Sequence, residues 1–87
     1  MAHDRLQQAS EELRAAAEAA DGEERERLGE QADQLATLAD RGTDHGRLAR
    51  HENALREIKA AAGDDVGERI EAAMDAITAY RETLEGV

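Results

Sequence analysis

The residue types best suited to chemistry are concentrated in one stretch, from Arg41 to Lys59. It contains two of the three histidines, the only asparagine and a local reversal of charge. Five basic and three acidic residues give this stretch a formal charge of +2, so the rest of the chain sums to −12 within the total of −10. This asymmetry makes it the natural place to look for an anionic partner. The candidate partner-binding residues are Arg47, Arg50 and His45.

Nucleic acid is one anionic partner to consider, and most of the sequence argues against it. Arg47 and Arg50 are three residues apart and can face one groove, but a nucleic-acid surface usually has a wider basic field and aromatic platforms for single strands. The sole aromatic residue is Tyr80, outside this stretch. Arginines in so acidic a chain also tend to pair with carboxylates, as Arg56 could with Glu52. Nucleic-acid binding is therefore the alternative hypothesis.

The histidines form no recognisable metal site. His45 and His51 are six residues apart, which places them on different sides of a helix, and the Glu-x-x-His motif of di-iron bundles is absent. Only a duplicated arrangement that brings His3 near His45 would make a surface metal site conceivable. His51 falls between Leu48 and Leu55 on an apolar stripe, where we expect a hydrogen-bonded core histidine. We expect no metal ion and no cofactor.

Enzyme signatures are missing as well. Ser10 is the only serine, and no histidine and carboxylate occur at a spacing that would activate its hydroxyl as a nucleophile. Without cysteine, disulfides, thiolate metal sites and cysteine nucleophiles are excluded. No glycine-rich phosphate-binding loop occurs. We expect no catalytic residue and a protein that is not an enzyme.

The charge composition indicates the solvent for which this chain is suited. There are 21 acidic against 11 basic residues, 19 alanines, and a single lysine, Lys59. This combination resembles proteins of halophilic archaea, whose cytoplasm holds molar potassium. Molar salt shortens the Debye length to about 3 Å and screens the self-repulsion of the chain. We expect a stability that rises with salt. We also expect a cytoplasmic location, because neither a signal-peptide pattern nor a membrane-spanning apolar run is present.

Helices must position these residues, because apolar residues recur at helical spacing along the whole chain. Short breaks at Gly22, Gly42 and Gly63 separate four amphipathic stretches, so consecutive helices should be antiparallel neighbours. We predict an all-α fold in a single domain over residues 1–87. It consists of two antiparallel helical hairpins, about 4–40 and about 44–86, which form a four-helix bundle.

The turns carry more specific expectations. Thr43 or Asp44 can cap the third helix at its start. Gly63 is expected to end that helix in the left-handed conformation, and Asp64 and Asp65 to cap the fourth.

The two hairpins match each other at an offset of 42 residues. Aligned without a gap, they give ten identities in 45 pairs, Leu6 with Leu48 and Leu13 with Leu55 among them. About five identities would be expected from the biased composition. Two explanations stay open: an internal duplication, or two hairpins of similar composition that happen to be in phase.

The fourth stretch carries the most regular apolar pattern, with spacings that alternate between four and three residues. Because the rest of the core is small, a dimer that packs one hairpin against its copy would bury more apolar surface per residue. Self-association and binding of a partner protein would use the same residues. The candidate self-association seam consists of Val66, Ile70, Ala73, Ile77, Tyr80 and Leu84.

The run from Asp44 to Ile58 resembles a family of short haloarchaeal proteins of unknown function. The segments 31–36 and 75–81 resemble it too, and the resemblance covers nearly the whole chain. It implies a halophilic origin and brings no activity, cofactor or binding residue with it. The leading hypothesis is a non-enzymatic helical interaction or structural module of a halophilic cytoplasm. The alternative is an anionic partner bound through the third helix.

Overall fold

A computed structural model describes residues 3–84, with side chains from residue 4 onward. These residues form four helices and no strand: α1 (His3–Ala19), α2 (Gly22–Arg41), α3 (His45–Ala61) and α4 (Asp64–Arg81). The all-α prediction and the predicted bundle of two hairpins are confirmed. The end predicted for the second hairpin, residue 86, lies outside the described residues.

The turns between the helices explain where each helix stops. Gly42 has a φ of 83°, a conformation that favours glycine, and its N–H donates to the carbonyl oxygen of Leu38 at 2.8 Å. The Asp44 carboxylate then accepts the backbone N–H of Arg47 at 2.8 Å and caps α3. Asp44, rather than Thr43, is therefore the cap.

The prediction for Gly63 was wrong. Its φ of −75° and ψ of 174° are extended, and so are the angles of Ala62, so α3 ends without a left-handed residue. Gly63 is the N-cap of α4, and Asp64 and Asp65 lie in the first helical turn. There they still favour the helix electrostatically, because carboxylates interact well with the positive end of the helix dipole.

All four helices contribute to one apolar core. Leucine and isoleucine provide its large members, and alanine fills the remaining positions. The large side chains that are almost completely buried are Leu6, Leu13, Leu28, Leu35, Leu48, Leu55, Ile58, Ile70 and Ile77.

The packing of the bundle is unequal. α1 lies close against both α2 and α4, whereas α3 approaches α4 less closely and α2 least of all. The distance between two packed helices depends on the side chains between them. At an offset of 42 residues, small residues of α1 correspond to larger ones of α3. The pairs are Ala9 with His51, Ser10 with Glu52, and Ala16 with Ile58.

The two hairpins agree in the bounds of their first helices and differ in how closely their helices pack. The bounds of α1 shifted by 42 residues coincide with the bounds of α3, which agrees with the offset found in the sequence. The different helix separations mean that no exact twofold axis relates the hairpins. Common origin by duplication stays a prediction.

The candidate self-association seam is part of the core of a single chain. From Val66 to Tyr80 its members are at most 7% exposed, and Leu84 packs partly buried against the same core. A second chain could reach this seam only by exchanging helices with the first. Self-association through these residues stays a prediction.

Candidate functional site

The wide separation of α2 and α3 leaves a groove of about 520 Å³ between them. Two of the three predicted partner-binding residues, Arg47 and Arg50, lie on it. The groove is lined by Gln31, Gln34, Thr37, Leu38, Arg47, Arg50 and His51.

The α2 wall of the groove is polar and uncharged. Gln31, Gln34 and Thr37 follow one another at three-residue spacing, so each lies beside the next on the helix surface. Leu38, half-buried against the core, adds apolar surface. No prediction from the sequence included this row. Two neutral amides and a hydroxyl at three-residue steps along an otherwise acidic helix are the signal that could have revealed it.

The α3 wall carries the positive charge. Arg50 makes no hydrogen bond or ion pair with any residue of the part of the chain described here, 4–84. The Nε atom of Arg47 lies 4.0 Å from Asp44 Oδ2, both side chains being about two-thirds exposed, so this ion pair is weak. The guanidinium groups of Arg47 and Arg50 therefore keep most of their donors available to a ligand.

No carboxylate of the described residues lines this groove, although acidic residues outnumber basic ones almost two to one in the chain. Four other grooves in the described part of the chain each include at least two carboxylates. The groove between α2 and α3 thus combines two guanidinium groups with neutral hydrogen-bonding side chains on a chain of net charge −10. This arrangement is suited to an anion.

His51 connects the two walls. Its Nδ1 atom lies 2.6 Å from Oε1 of Gln31, and because an amide oxygen only accepts, Nδ1 carries the proton. Burial lowers the pKa of His51 from its ordinary value of 6.5, because the charged form loses hydration. The expected hydrogen-bonded histidine is found, half-buried. Its partner comes from the other hairpin, which intrahelical spacing could not reveal.

His45 lies in a different cluster from Arg47 and Arg50. Its Nδ1 atom accepts a hydrogen bond of 3.0 Å from Nε of Arg81, on α4. Residues two apart on a helix point about 200° away from each other, so His45 and Arg47 face different neighbours. The structure therefore does not bring the three candidate residues together.

Glu52 completes the His45 cluster. It is only 7% exposed and accepts a hydrogen bond from Arg81 Nη1, which also forms an ion pair with it. The predicted pair of Glu52 with Arg56 was wrong, because Arg56 donates instead to Asn53 Oδ1 at 3.0 Å. Glu52 follows Leu48 by four residues, and that stripe spacing was the signal of its burial.

Two buried polar atoms have no hydrogen-bond partner among the described residues: Nε2 of His45, which belongs to this cluster, and Oγ1 of Thr43, two residues earlier in the chain. Because the Arg81 guanidinium can only donate, Nδ1 of His45 is an acceptor and Nε2 carries the proton.

Among the residues that the structure describes, groups of catalytic or metal-binding type do not converge elsewhere. Ser10 is buried and its hydroxyl donates to the carbonyl oxygen of Ala32 at 2.8 Å, which is a structural contact. Within the described residues, no three His, Cys, Asp or Glu side chains are placed to hold a metal ion. The side chain of His3, which the alternative metal hypothesis needs, lies outside the described part. No helix among residues 3–84 combines the length and the apolar character that crossing a membrane requires.

Comparison with known proteins agrees with the uncharacterised family expected from the sequence. The sequence model of a family of unknown function, DUF7553, matches residues 1–83, and the chain belongs to that family. No curated protein and no solved structure is significantly similar to the chain.

Proposed function

We propose that this chain is a non-enzymatic binding module of a salt-rich cytoplasm, and that it binds an anionic partner in the groove between α2 and α3. This proposal combines the two hypotheses drawn from the sequence, because an anion-binding site on the third helix would also be the site at which an interaction module binds its partner. The partner contacts of the groove would be made by Arg47 and Arg50, with Gln34 beside them.

The single observation that carries the proposal is the pair of available guanidinium groups in a groove without carboxylates. Several other arginines are engaged: Arg14 pairs with Asp33 at 3.0 Å, and Arg25 donates to the carbonyl oxygen of Ala17 at 2.9 Å. Arg50 has no such partner within residues 4–84, and it differs from the likewise unpaired Arg69 in lining a groove without described carboxylates. An arginine that an acidic chain leaves available in a concave site is well placed for a ligand carboxylate or phosphate.

A salt-rich cytoplasm is supported by the composition, with its excess of acidic residues and its single lysine. At molar salt the Debye length is about 3 Å, so an anion gains little from long-range attraction and must contact the guanidinium groups directly. A groove offers such direct contacts, together with neutral donors and the apolar surface of Leu38. Halophilic origin is therefore consistent with a concave site rather than a broad basic surface.

A double charge reversal tests the proposal. The groove variant, Arg47→Glu with Arg50→Glu, loses the positive groups of the groove. The control variant, Arg5→Glu with Arg69→Glu, has the same change of net charge at exposed residues elsewhere. Binding of poly-glutamate, a short oligothymidylate and inorganic phosphate is measured by titration calorimetry in molar KCl.

We expect at least one probe to bind the parent chain and the control variant alike, and to bind the groove variant at least about tenfold more weakly, which corresponds to 1.4 kcal/mol. The proposal is wrong if no probe binds the parent chain, or if the groove variant binds as well as the parent.

A further inference from the structure

We infer that the groove recognises a helix of a partner protein that carries two carboxylates one helical turn apart. This inference rests on the proposed function and names the class of partner. It follows from the spacing of the groove residues, from the surface beside them and from the position of the only aromatic residue.

The spacing of the two arginines matches that of carboxylates on a helix. Arg47 and Arg50 are three residues apart on α3, a rise of about 4.5 Å along the axis. Two glutamates three or four residues apart on a partner helix rise by about 4.5 to 6 Å. Each carboxylate can then meet one guanidinium, and the fork of arginine suits the two carboxylate oxygens.

The α2 wall repeats with the same period. Gln31, Gln34 and Thr37 extend over about 9 Å of α2 at three-residue steps. The hydrogen bond from His51 to Gln31 joins α2 to α3 and holds the two walls at a fixed separation. A helix placed along the groove would therefore meet matching periodicity on both walls, and the ordering that binding requires would fall mainly on the two exposed arginine side chains.

The charge of the groove matches two carboxylates rather than a longer polyanion. Arg47 and Arg50 contribute two positive charges, and burial keeps His51 from adding a third near neutral pH. Leu38 offers apolar surface to the methylene groups of a glutamate side chain.

Nucleic acid fits the same groove less well. Single-stranded nucleic acid is held largely by stacking on aromatic side chains, and Tyr80, the only aromatic residue, is 7% exposed in the core. Phosphate contacts also lose most of their strength at high salt, because the release of counterions no longer drives binding.

The test uses two alanine-based peptides of about 20 residues, long enough to form a helix in water. They have the same composition, but one has its glutamates four residues apart and the other two apart, on opposite sides of the helix. A third peptide has lysines in place of the glutamates of the first. Binding to the parent chain, the groove variant and the Arg5/Arg69 control is measured by fluorescence anisotropy, with an oligothymidylate of equal charge as the comparison.

We expect the peptide with glutamates four apart to bind the parent chain and the control at least about tenfold more tightly than its isomer, a difference of 1.4 kcal/mol. We also expect the groove variant to lose affinity for this glutamate peptide and to gain affinity for the lysine peptide. The Arg5/Arg69 control has the same net charge and should not gain this affinity, so a gain confined to the groove variant would assign the effect to the groove and not to the added negative charge.

Two kinds of failure are distinguishable. If both glutamate peptides bind equally, or if the oligothymidylate binds the groove and the peptides do not, then the inference of a helical acidic partner is wrong while anion binding stands. If no probe binds the parent chain more tightly than it binds the groove variant, the proposed function is wrong as well.

Discussion

Ser10 on α1 and Glu52 on α3 occupy corresponding positions 42 residues apart, and both are buried polar side chains. Ser10 donates to the backbone of α2 at Ala32, at 2.8 Å. Glu52 instead reaches the Arg81 side chain on α4. A hydroxyl suffices where two helices lie close together, whereas the wider gap beside α3 is bridged by two long side chains. The separation of the helices thus decides which polar contact satisfies a buried position.

Replacing Glu52 by Gln should destabilise the bundle. The Arg81 side chain is only 31% exposed, so without the carboxylate it would hold a poorly hydrated charge with no anion beside it. We expect a loss of about 1–3 kcal/mol in the free energy of unfolding, measured by urea denaturation. The control is Glu57→Gln, because Glu57 is 77% exposed at 3.9 Å from Arg27 and should matter by less than about 0.5 kcal/mol. Equal losses in the two variants would contradict a special role for Glu52.

Exchanging residue sizes between α1 and α3 tests the unequal packing. Ile58→Ala should cost about 2–5 kcal/mol, because a buried side chain is replaced by a cavity. Ala16→Ile should cost about 1–3 kcal/mol, because α1 has no room for a larger side chain. Ala60→Ile, at an exposed site of α3, should stay within about 0.5 kcal/mol. Thermal unfolding measures all three, and an Ala16→Ile variant as stable as the parent would show that α1 is not closely packed.

The fold could be predicted because it depends on local patterns. The apolar stripes repeat at helical spacing, and the conformation of Gly42 is one that favours glycine, so helix number and approximate bounds follow from the sequence. The prediction for Gly63 was wrong because a short turn can also be made from residues in the extended conformation. Glycine has no advantage there, since every other residue can adopt that conformation too.

The candidate site could be predicted only in part. Arg47 and Arg50 were found because a local charge reversal is visible along the chain. His45 was grouped with them although a two-residue spacing separates their directions on a helix. The contacts His51–Gln31 and Glu52–Arg81 join different helices, and they depend on how far α3 stands from its neighbours. That separation is a property of packed volumes, which periodicity does not contain.

The stability of the chain should increase with KCl concentration. Its net charge is −10, so screening removes repulsion that opposes the compact state. A variant with Glu11, Glu18, Glu26 and Glu68 changed to Gln should gain less from salt, since all four are exposed and the change removes four negative charges. The free energy of unfolding is measured by urea denaturation from dilute to molar KCl. The same slope in both proteins would assign the effect to general salting-out, and the electrostatic explanation would then be wrong.

Acidification should destabilise the bundle through His51. Burial lowers the pKa of this imidazole in the folded chain below the ordinary value of 6.5, which it regains on unfolding. As the pH falls below 6.5, the unfolded chain therefore binds more protons than the folded chain, and the free energy of unfolding decreases. The loss is complete once the pH is below the folded pKa, and it is absent at higher pH, where both states are neutral.

The matched variant is His51→Gln, whose amide can still donate to Oε1 of Gln31 but does not titrate. The parent and the variant share every other titrating group, so the difference between their unfolding free energies isolates His51. Measured by urea denaturation between about pH 5 and 8, this difference should change in favour of the variant as the pH falls, with a slope of at most about 1.4 kcal/mol per pH unit. A difference that stays constant over this range, or one that changes in favour of the parent, would show that burial does not depress the pKa of His51.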